Sequence, residues 1–242
     1  NENVRRNGES IQCDWYNAAL RDANGDVVGV ISLVDDITSR KVAEDEIRNL
    51  AFYDHLTGLP NRRLLIDRVR QAMVSSARSE KYCALLFLDL DDFKTLNDTL
   101  GHDIGDLLLQ QVASRVSSCV RKGDTVARLG GDEFVVMLEE LSEFMQEAVM
   151  ETEAVGAKIL AAFTQPFQLD TYEHVSTTSV GVTLFSTHDG STEDLLKRAD
   201  LAMYQAKAGG RNTLRFFDPQ MQTAVTTRAA LEENFRVAQR PV

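Results

Sequence analysis

Cysteine, proline and tryptophan are scarce in this chain: three, four and one among 242 residues. Cys13, Cys83 and Cys119 are odd in number and far apart, so they match neither a disulfide framework nor a metal-ligand or redox spacing. They are expected to be free thiols in a reducing, cytoplasmic compartment, without structural zinc. His55, His102, His174 and His188 show no metal spacing either; His102, in a tight loop, is read as stabilising that loop. Long apolar runs are missing too. No stretch reaches the roughly 18–20 residues of a membrane span, and no charged and apolar leader marks a signal peptide. Clustered Lys/Arg is likewise absent, and the net charge of −11 with a pI near 4.9 repels polyanions. That excludes a nucleic-acid groove and contact with an acidic membrane surface, so any nucleotide must be held locally. The chain starts at Asn1 rather than Met, so it is expected to be an excised piece of a longer parent, membrane-attached or not.

What is present is ordinary globular material, 43% hydrophobic, enough for one substantial domain with smaller attachments. Residues 11–37 alternate like two strands around an Asn24-Gly25 turn, a hairpin signal. Thr38 or Ser39 can cap a charged helix whose Ala43, Ile47 and Leu50 fall at i, i+4, i+7. That narrow stripe fits either a short coiled coil between two copies or packing on the same domain. "DHLTGLPNR", Asp54 to Arg62, is turn chemistry opening an amphipathic helix with Leu64, Leu65, Val69 and Met73 on one side. The spacing then predicts a buried strand at "CALLFLDL", a helix near 105–121, a hairpin near 125–138 and a helix near 145–163. Strands near 167–184, a helix near 192–208 and a last strand near 212–217 complete the pattern. Helices alternating with strands, one connection being a hairpin, predict an α/β fold around a mixed sheet. The tail past Pro219 carries Leu231, Phe235 and Ala238 at helical spacing with nothing obvious to bury against, so a downstream segment is expected.

Two stretches concentrate chemistry. "ALLFLDLDDFK" runs apolar and then releases Asp89, Asp91 and Asp92; alternation points Asp89 and Asp91 one way and Asp92 the other. A carboxylate at the end of a buried strand needs a partner, and a hard divalent cation is one. "RLGGDEFVVML" sets Gly130 and Gly131 beside Asp132 and Glu133. If this hairpin lies next to the strand ending at Asp89, Asp132 at its tip can complete a carboxylate cage around Mg²⁺, and the glycines let backbone approach a phosphate or ribose. On spacing alone, a solvated Gly-Gly-Asp-Glu turn and an Asp91-Asp92 helix cap remain open.

"RLGGDEF", "FLDLDDFKTLNDTLGHDIGD", "DHLTGLPNR" and "KAGGRN", in order from about Asp54 to Phe217, resemble the GGDEF family of diguanylate cyclases. The resemblance implies a palm-like fold, an α/β (α+β) mixed sheet flanked by helices as in polymerases and nucleotidyl cyclases. It also implies condensation of two GTP into cyclic di-GMP with release of two pyrophosphates. Carried over position by position, Asp89, Asp132 and the Leu90 carbonyl would hold Mg²⁺ (or Mn²⁺), with Asp132 the candidate to accept the 3′-hydroxyl proton. Glu133 belongs to the catalytic signature, its role open. Asn97 and Asp106 would read guanine, whose N1–H and N2–H₂ edge offers adjacent donors where adenine offers an acceptor; such sites can reject the wrong base by roughly 10⁴. Phe93 and Lys94, where amides are free after the strand, with Gly130, Gly131, Lys207 and Arg211, would take the remainder of GTP. Arg121 and Asp124, in "RKGD", resemble the family's inhibitory site for product.

The resulting division is residues 1–38 as the end of a PAS sensor domain, 39–52 as a signalling helix, 53–217 as the cyclase domain and 218–242 as a linker towards an EAL-like phosphodiesterase domain. Each cyclase domain would hold one GTP, so a homodimer is expected for chemistry. A second reading stays open: a catalytically silent GTP-binding regulatory module of a tandem GGDEF-EAL phosphodiesterase. A cyclase using another base is disfavoured by Asn97 and Asp106.

Overall fold

The computed structural model describes residues 2–186 and 189–218. His188 and the tail helix expected past Pro219 lie outside the described residues. The chain divides into two compact units, Asn1–Ala51 and Phe52–Val242, each built separately below.

In the first unit, β1 (Glu2–Val4), β2 (Ser10–Arg21) and β3 (Val27–Asp36) form an antiparallel sheet in that order. The expected hairpin is β2–β3. Its turn is closed by Asp22, whose carboxylate accepts the N–H groups of Asn24 and Asp26, with Gly25 at φ 89°. The short β1 was not visible in the alternation. Helix α1 (Thr38–Phe52) follows. Thr38 does not cap it as the sequence suggested: it is the first helical residue, and its N–H and hydroxyl both donate to Asp36. Ile47 and Leu50 of the narrow stripe are exposed.

The second unit is a five-stranded sheet in the order β10-β9-β4-β6-β5. Its strands are β4 (Cys83–Leu90), β5 (Thr125–Gly130), β6 (Glu133–Leu138), β9 (Thr178–Phe185) and β10 (Leu214–Phe216). β10 joins β9 in parallel and the other pairings are antiparallel, so the sheet is mixed. Every residue of β4 is buried, because helices cover both faces of its sheet. Leu86, Leu88 and Leu90 pack in one core with Leu108 and Val112 of α4 (His102–Cys119) and Ile159 of α5 (Met145–Phe163). Leu85 and Phe87 pack in the other with Leu65 and Val69 of α2 (Arg62–Ser79) and Leu195 and Ala199 of α6 (Thr192–Ala208). Double coverage explains why β4 reads as a continuous apolar run although both its neighbours are antiparallel.

Local signals fix the ends of these helices. Asn61 accepts the N–H groups of Arg63 and Leu64 to start α2, and a Ser191–Asp194 capping box starts α6. The helix expected near 105–121 is α4; a short helix that was not expected, α3 (Phe93–Leu100), precedes it, separated from it at Gly101 with φ 89°. His102 consequently opens α4 instead of lying in a loop. The strands expected near 167–184 are three: β7 (Phe167–Leu169) and β8 (Tyr172–His174), which make their own small hairpin, and then β9. Among the described residues, no helix is long and apolar enough to cross a membrane.

Candidate functional site

The Gly130-Gly131-Asp132-Glu133 turn joins the edge strand β5 to β6, which lies next to β4 in the sheet. Gly130 and Gly131 have φ of 143° and 53°, a conformation other residues resist, and a Cβ at either would meet nothing within 4 Å. Glycine is therefore needed for the shape of the turn, and the space beside it is open. The turn is held from within by Arg128, a residue the sequence reading passed over. Its guanidinium, 9% exposed, donates from Nε and Nη2 to the Gly131 carbonyl at 3.0 and 2.7 Å. Nη1 reaches both oxygens of Asp54 at 3.0 and 3.2 Å. Asp54 also accepts the N–H and hydroxyl of Thr57. Burial would raise the Asp54 pKa, but the bonds from Thr57 and Arg128 outweigh it and hold the carboxyl below its ordinary value. The "DHLTGLP" loop is thus tied to the back of the Gly-Gly turn. Opposite charges in two quoted motifs were the available signal.

Asp89, at the end of β4, stands directly across from Glu133 at the start of β6. Opposite residues of an antiparallel pair share a face, here the one α6 covers. Lys207, in the last turn of α6, places Nζ 2.5 Å from Asp89 Oδ1; apart from that ion pair, the buried oxygen has no hydrogen-bond donor. Burial pushes the Asp89 pKa up to about 6 against the pull of Lys207, and the charges of Asp132 and Glu133 add to the rise. Glu133 is raised by burial and then by Asp200 and Asp132. Asp200 is raised by burial despite Lys207. Lys207 and, at Glu133, the charge of Arg62 do not offset the burial and mutual repulsion of these carboxylates, so the group is short of positive charge.

Asp91 lies on the face of Asp89, as alternation predicts, for it reaches Ser179, the residue opposite Asp89. Its carboxylate accepts the hydroxyls of Thr177 at 2.6 Å and Ser179 at 2.7 Å and the Asn212 N–H at 3.2 Å, so it fastens β9 and the segment after α6 to the end of β4. Asp92 is the N-terminal flanking residue of α3, at φ 58°, and makes no side-chain cap. Phe93 and Lys94 open that helix, whose first amides no side chain caps. Arg211, at φ 64°, sits where α6 reverses into β10, with Nη2 3.9 Å from Asp92. Lys207, Arg211 and the start of α3 are thereby gathered around the end of β4. Asn97 lies further along α3, its Oδ1 buried and unpartnered, and Asp106 is exposed in the second turn of α4. The α3–α4 pair brings the two together at one end of the sheet.

Arg121 and Asp124 are at the far end of β5 from the Gly-Gly turn, about 20 Å away along a six-residue strand. Arg121 pairs with Asp124 at 3.3 Å and donates to the Glu139 carbonyl. A cavity of about 420 Å³ opens beside them, lined by Val120, Leu138, Val155 and Lys158.

A family model described as diguanylate cyclase, GGDEF domain, matches residues 51–213. MucR of Pseudomonas aeruginosa, a bifunctional diguanylate cyclase/cyclic di-GMP phosphodiesterase, is 39% identical over 201 residues, 83% of this chain and 28% of MucR. NbdA of the same organism, a cyclic di-GMP phosphodiesterase, is 40% identical over 82% of this chain and 24% of its own length. The chain therefore spans about a quarter of these relatives. The solved GGDEF domain of TpbB (YfiN) from P. aeruginosa superposes with a TM-score of 0.68 at 34% identity, covering 72% of this chain and 99% of that one.

Proposed function

The chain belongs to the GGDEF domain family of diguanylate cyclases, and on that footing we propose that it condenses two GTP into cyclic di-GMP, releasing two pyrophosphates. The observation that carries the reading is the meeting of Asp89 and Glu133 across β4 and β6, with Asp132 at the adjoining turn and Lys207 the cation on Asp89. Among the described residues no three His, Cys, Asp or Glu groups form a ready-made cage. The donor set in view is instead two carboxylates, Asp89 and Asp132, and the Leu90 carbonyl: hard oxygens suited to Mg²⁺ or Mn²⁺. The buried, under-neutralised Asp89 fits such an ion, which when bound would polarise the phosphate and lower the pKa of the attacking hydroxyl.

The chain's own groups supply the rest. Lys207, held by Asp89 in this structure, is the cation a triphosphate would draw off, with Arg211 beside it. The first amides of α3, at Phe93 and Lys94, point their positive end of the helix dipole at phosphate. Asp132 takes the proton of the 3′-hydroxyl, and Gly130 and Gly131 leave room for ribose or phosphate next to backbone. Asn97 and Asp106 read guanine. One domain holds one GTP, so two copies must face each other, and α1 with its exposed Ile47 and Leu50 would regulate that meeting. The hairpin of the first unit is then the end of a PAS domain. Product bound at Arg121 and Asp124 restrains turnover.

A second reading is favoured by one finding: NbdA, as similar as MucR, is a phosphodiesterase. Under it the domain binds GTP and regulates a downstream domain without turnover. Chromatography of the purified chain after incubation with GTP and Mg²⁺ separates the two. Cyclic di-GMP from the wild type and none from Asp132→Ala supports the cyclase; bound GTP without product at high protein concentration supports the regulatory module. In the same assay, Arg121→Ala should lose inhibition by added product, and residues 52–242 alone should lose activity and dimer content together. Unchanged inhibition or unchanged activity removes the corresponding assignment.

A further inference from the structure

We infer that Gly105 is a specificity-determining residue of the nucleotide site: it reserves the space in which Asn97 presents its amide to the base. The inference rests on the reading of Asn97 as a guanine contact. Gly105 is buried in the first turns of α4, where a glycine is unfavourable to the helix and nothing in the backbone demands one, since its φ is not positive. The reason lies across the α3–α4 contact. A Cβ built at position 105 would stand 1.9 Å from Asn97 Oδ1, 3.0 Å from Asn97 Cγ and 3.3 Å from Phe93 Cζ. Side chains of two proposed GTP residues therefore lean on the one position in α4 that has no side chain. The clash is the same whichever way the amide is turned, because either end group fills that space.

Two further observations give the contact a purpose. Asn97 Oδ1 is buried and without a donor in the described structure, a cost that a base-edge N–H would remove. The next residue along the helix is Asp106, so Gly105 brings the Asn97 amide against the turn that carries the second proposed reader. A methyl group at 105 would strike the far end of a flexible side chain rather than backbone. The fold can yield there by swinging Asn97 aside, and what is lost is the position of the amide.

Gly105→Ala is therefore expected to fold with a melting temperature within a few degrees of wild type while losing discrimination between guanine and hypoxanthine, which lacks the exocyclic amine. The probes are 3′-deoxy-GTP and 3′-deoxy-ITP, which lack the attacking hydroxyl and report binding without turnover. In the wild-type chain the guanine compound should bind roughly tenfold or more tightly, the worth of one hydrogen bond to a base edge. In Gly105→Ala the ratio should collapse towards one. Asn97→Ala should give the same collapse, and Asn97→Ala/Gly105→Ala should be no worse than Asn97→Ala alone, since the clashing atoms are gone. A Gly105→Ala chain that keeps the wild-type ratio while Asn97→Ala loses it overturns the role of Gly105 alone. In Asn97→Ala, an unchanged ratio with weaker binding of both compounds overturns this inference, and unchanged binding of both overturns the guanine reading and this inference with it. Should Gly105→Ala fail to fold, refolding of the double variant supports the contact, and failure of both overturns it.

Discussion

Replacing Arg128 by alanine removes four side-chain hydrogen bonds at once, two to the Gly131 carbonyl and two to Asp54. Breaking one side of a buried ion pair costs about 3–5 kcal/mol, largely because the remaining charge is stranded. Asp54 would not be wholly stranded: Thr57 still donates to it at 2.9 Å from the amide and 2.6 Å from the hydroxyl. The lower end, about 3 kcal/mol, is the expected loss. For a unit of this size that is a fall of about 6–12 °C in melting temperature. The pH dependence adds a signature. Asp54 titrates below its unfolded value of 3.8, so its contribution is present above that pH and is given up as pH falls towards the lower folded value. Arg128→Ala should flatten this acid limb. Thermal melts of Arg128→Ala, Asp54→Asn and the double variant, at pH 7 and between pH 3 and 4.5, supply the cycle. Effects that add within about 0.5 kcal/mol would show no coupling and refute the clamp. Arg128→Lys should rescue little, because a single ammonium cannot span both acceptors in the fork geometry of guanidinium.

Two other outcomes are expected. Gly181→Ala should lower the melting temperature more than any surface change, since its Cβ would lie 2.0 Å from the Met203 nitrogen and 2.1 Å from the Ala199 carbonyl oxygen, backbone atoms that cannot turn aside; a loss below about 1 kcal/mol in a denaturant titration would contradict the close packing of α6 on β9. The three thiols are buried, and burial lifts Cys83 to about 11, so a thiol reagent at pH 8 should label the native chain slowly and all three cysteines promptly in denaturant; rapid native labelling of Cys83 would mean that the end of β4 opens.

Long periodic stretches were readable because one interaction dominates them. The apolar run of β4 and the helices 145–163 and 192–208 follow burial against a single sheet, and the observed α5 and α6 coincide with those spans. α3 escaped notice because "FKTLNDTL" buries only Leu96 and is delimited by backbone, Asp92 at φ 58° and Gly101 at φ 89°. For Asp91 alternation predicted the direction but not the partners, because Thr177, Ser179 and Asn212 are 86, 88 and 121 residues away. Arg128 was hidden in the same way. A charge in a strand reads as a solvated edge until the loop carrying Asp54 is folded behind it. For the site residues, local pattern indicated chemistry, and tertiary closure decided which groups meet.

The ion pair between Asp89 and Lys207 joins points 118 residues apart in the chain. At a synthesis rate of about 5–20 residues per second, roughly 6–24 s separate the appearance of the aspartate from that of the lysine. Once Glu133 has been made, and until α6 is, the nascent chain carries Asp89, Asp132 and Glu133 with no α6 to cover the sheet, so the carboxylates remain hydrated and repel one another without cost of burial. Only after α6 emerges and Asn212 reaches Asp91 can the end of β4 close. A ribosome-bound chain arrested before residue 207 would therefore have the acidic strand ends but no place for a triphosphate, and nucleotide binding should arise late and in one step as the last strand docks.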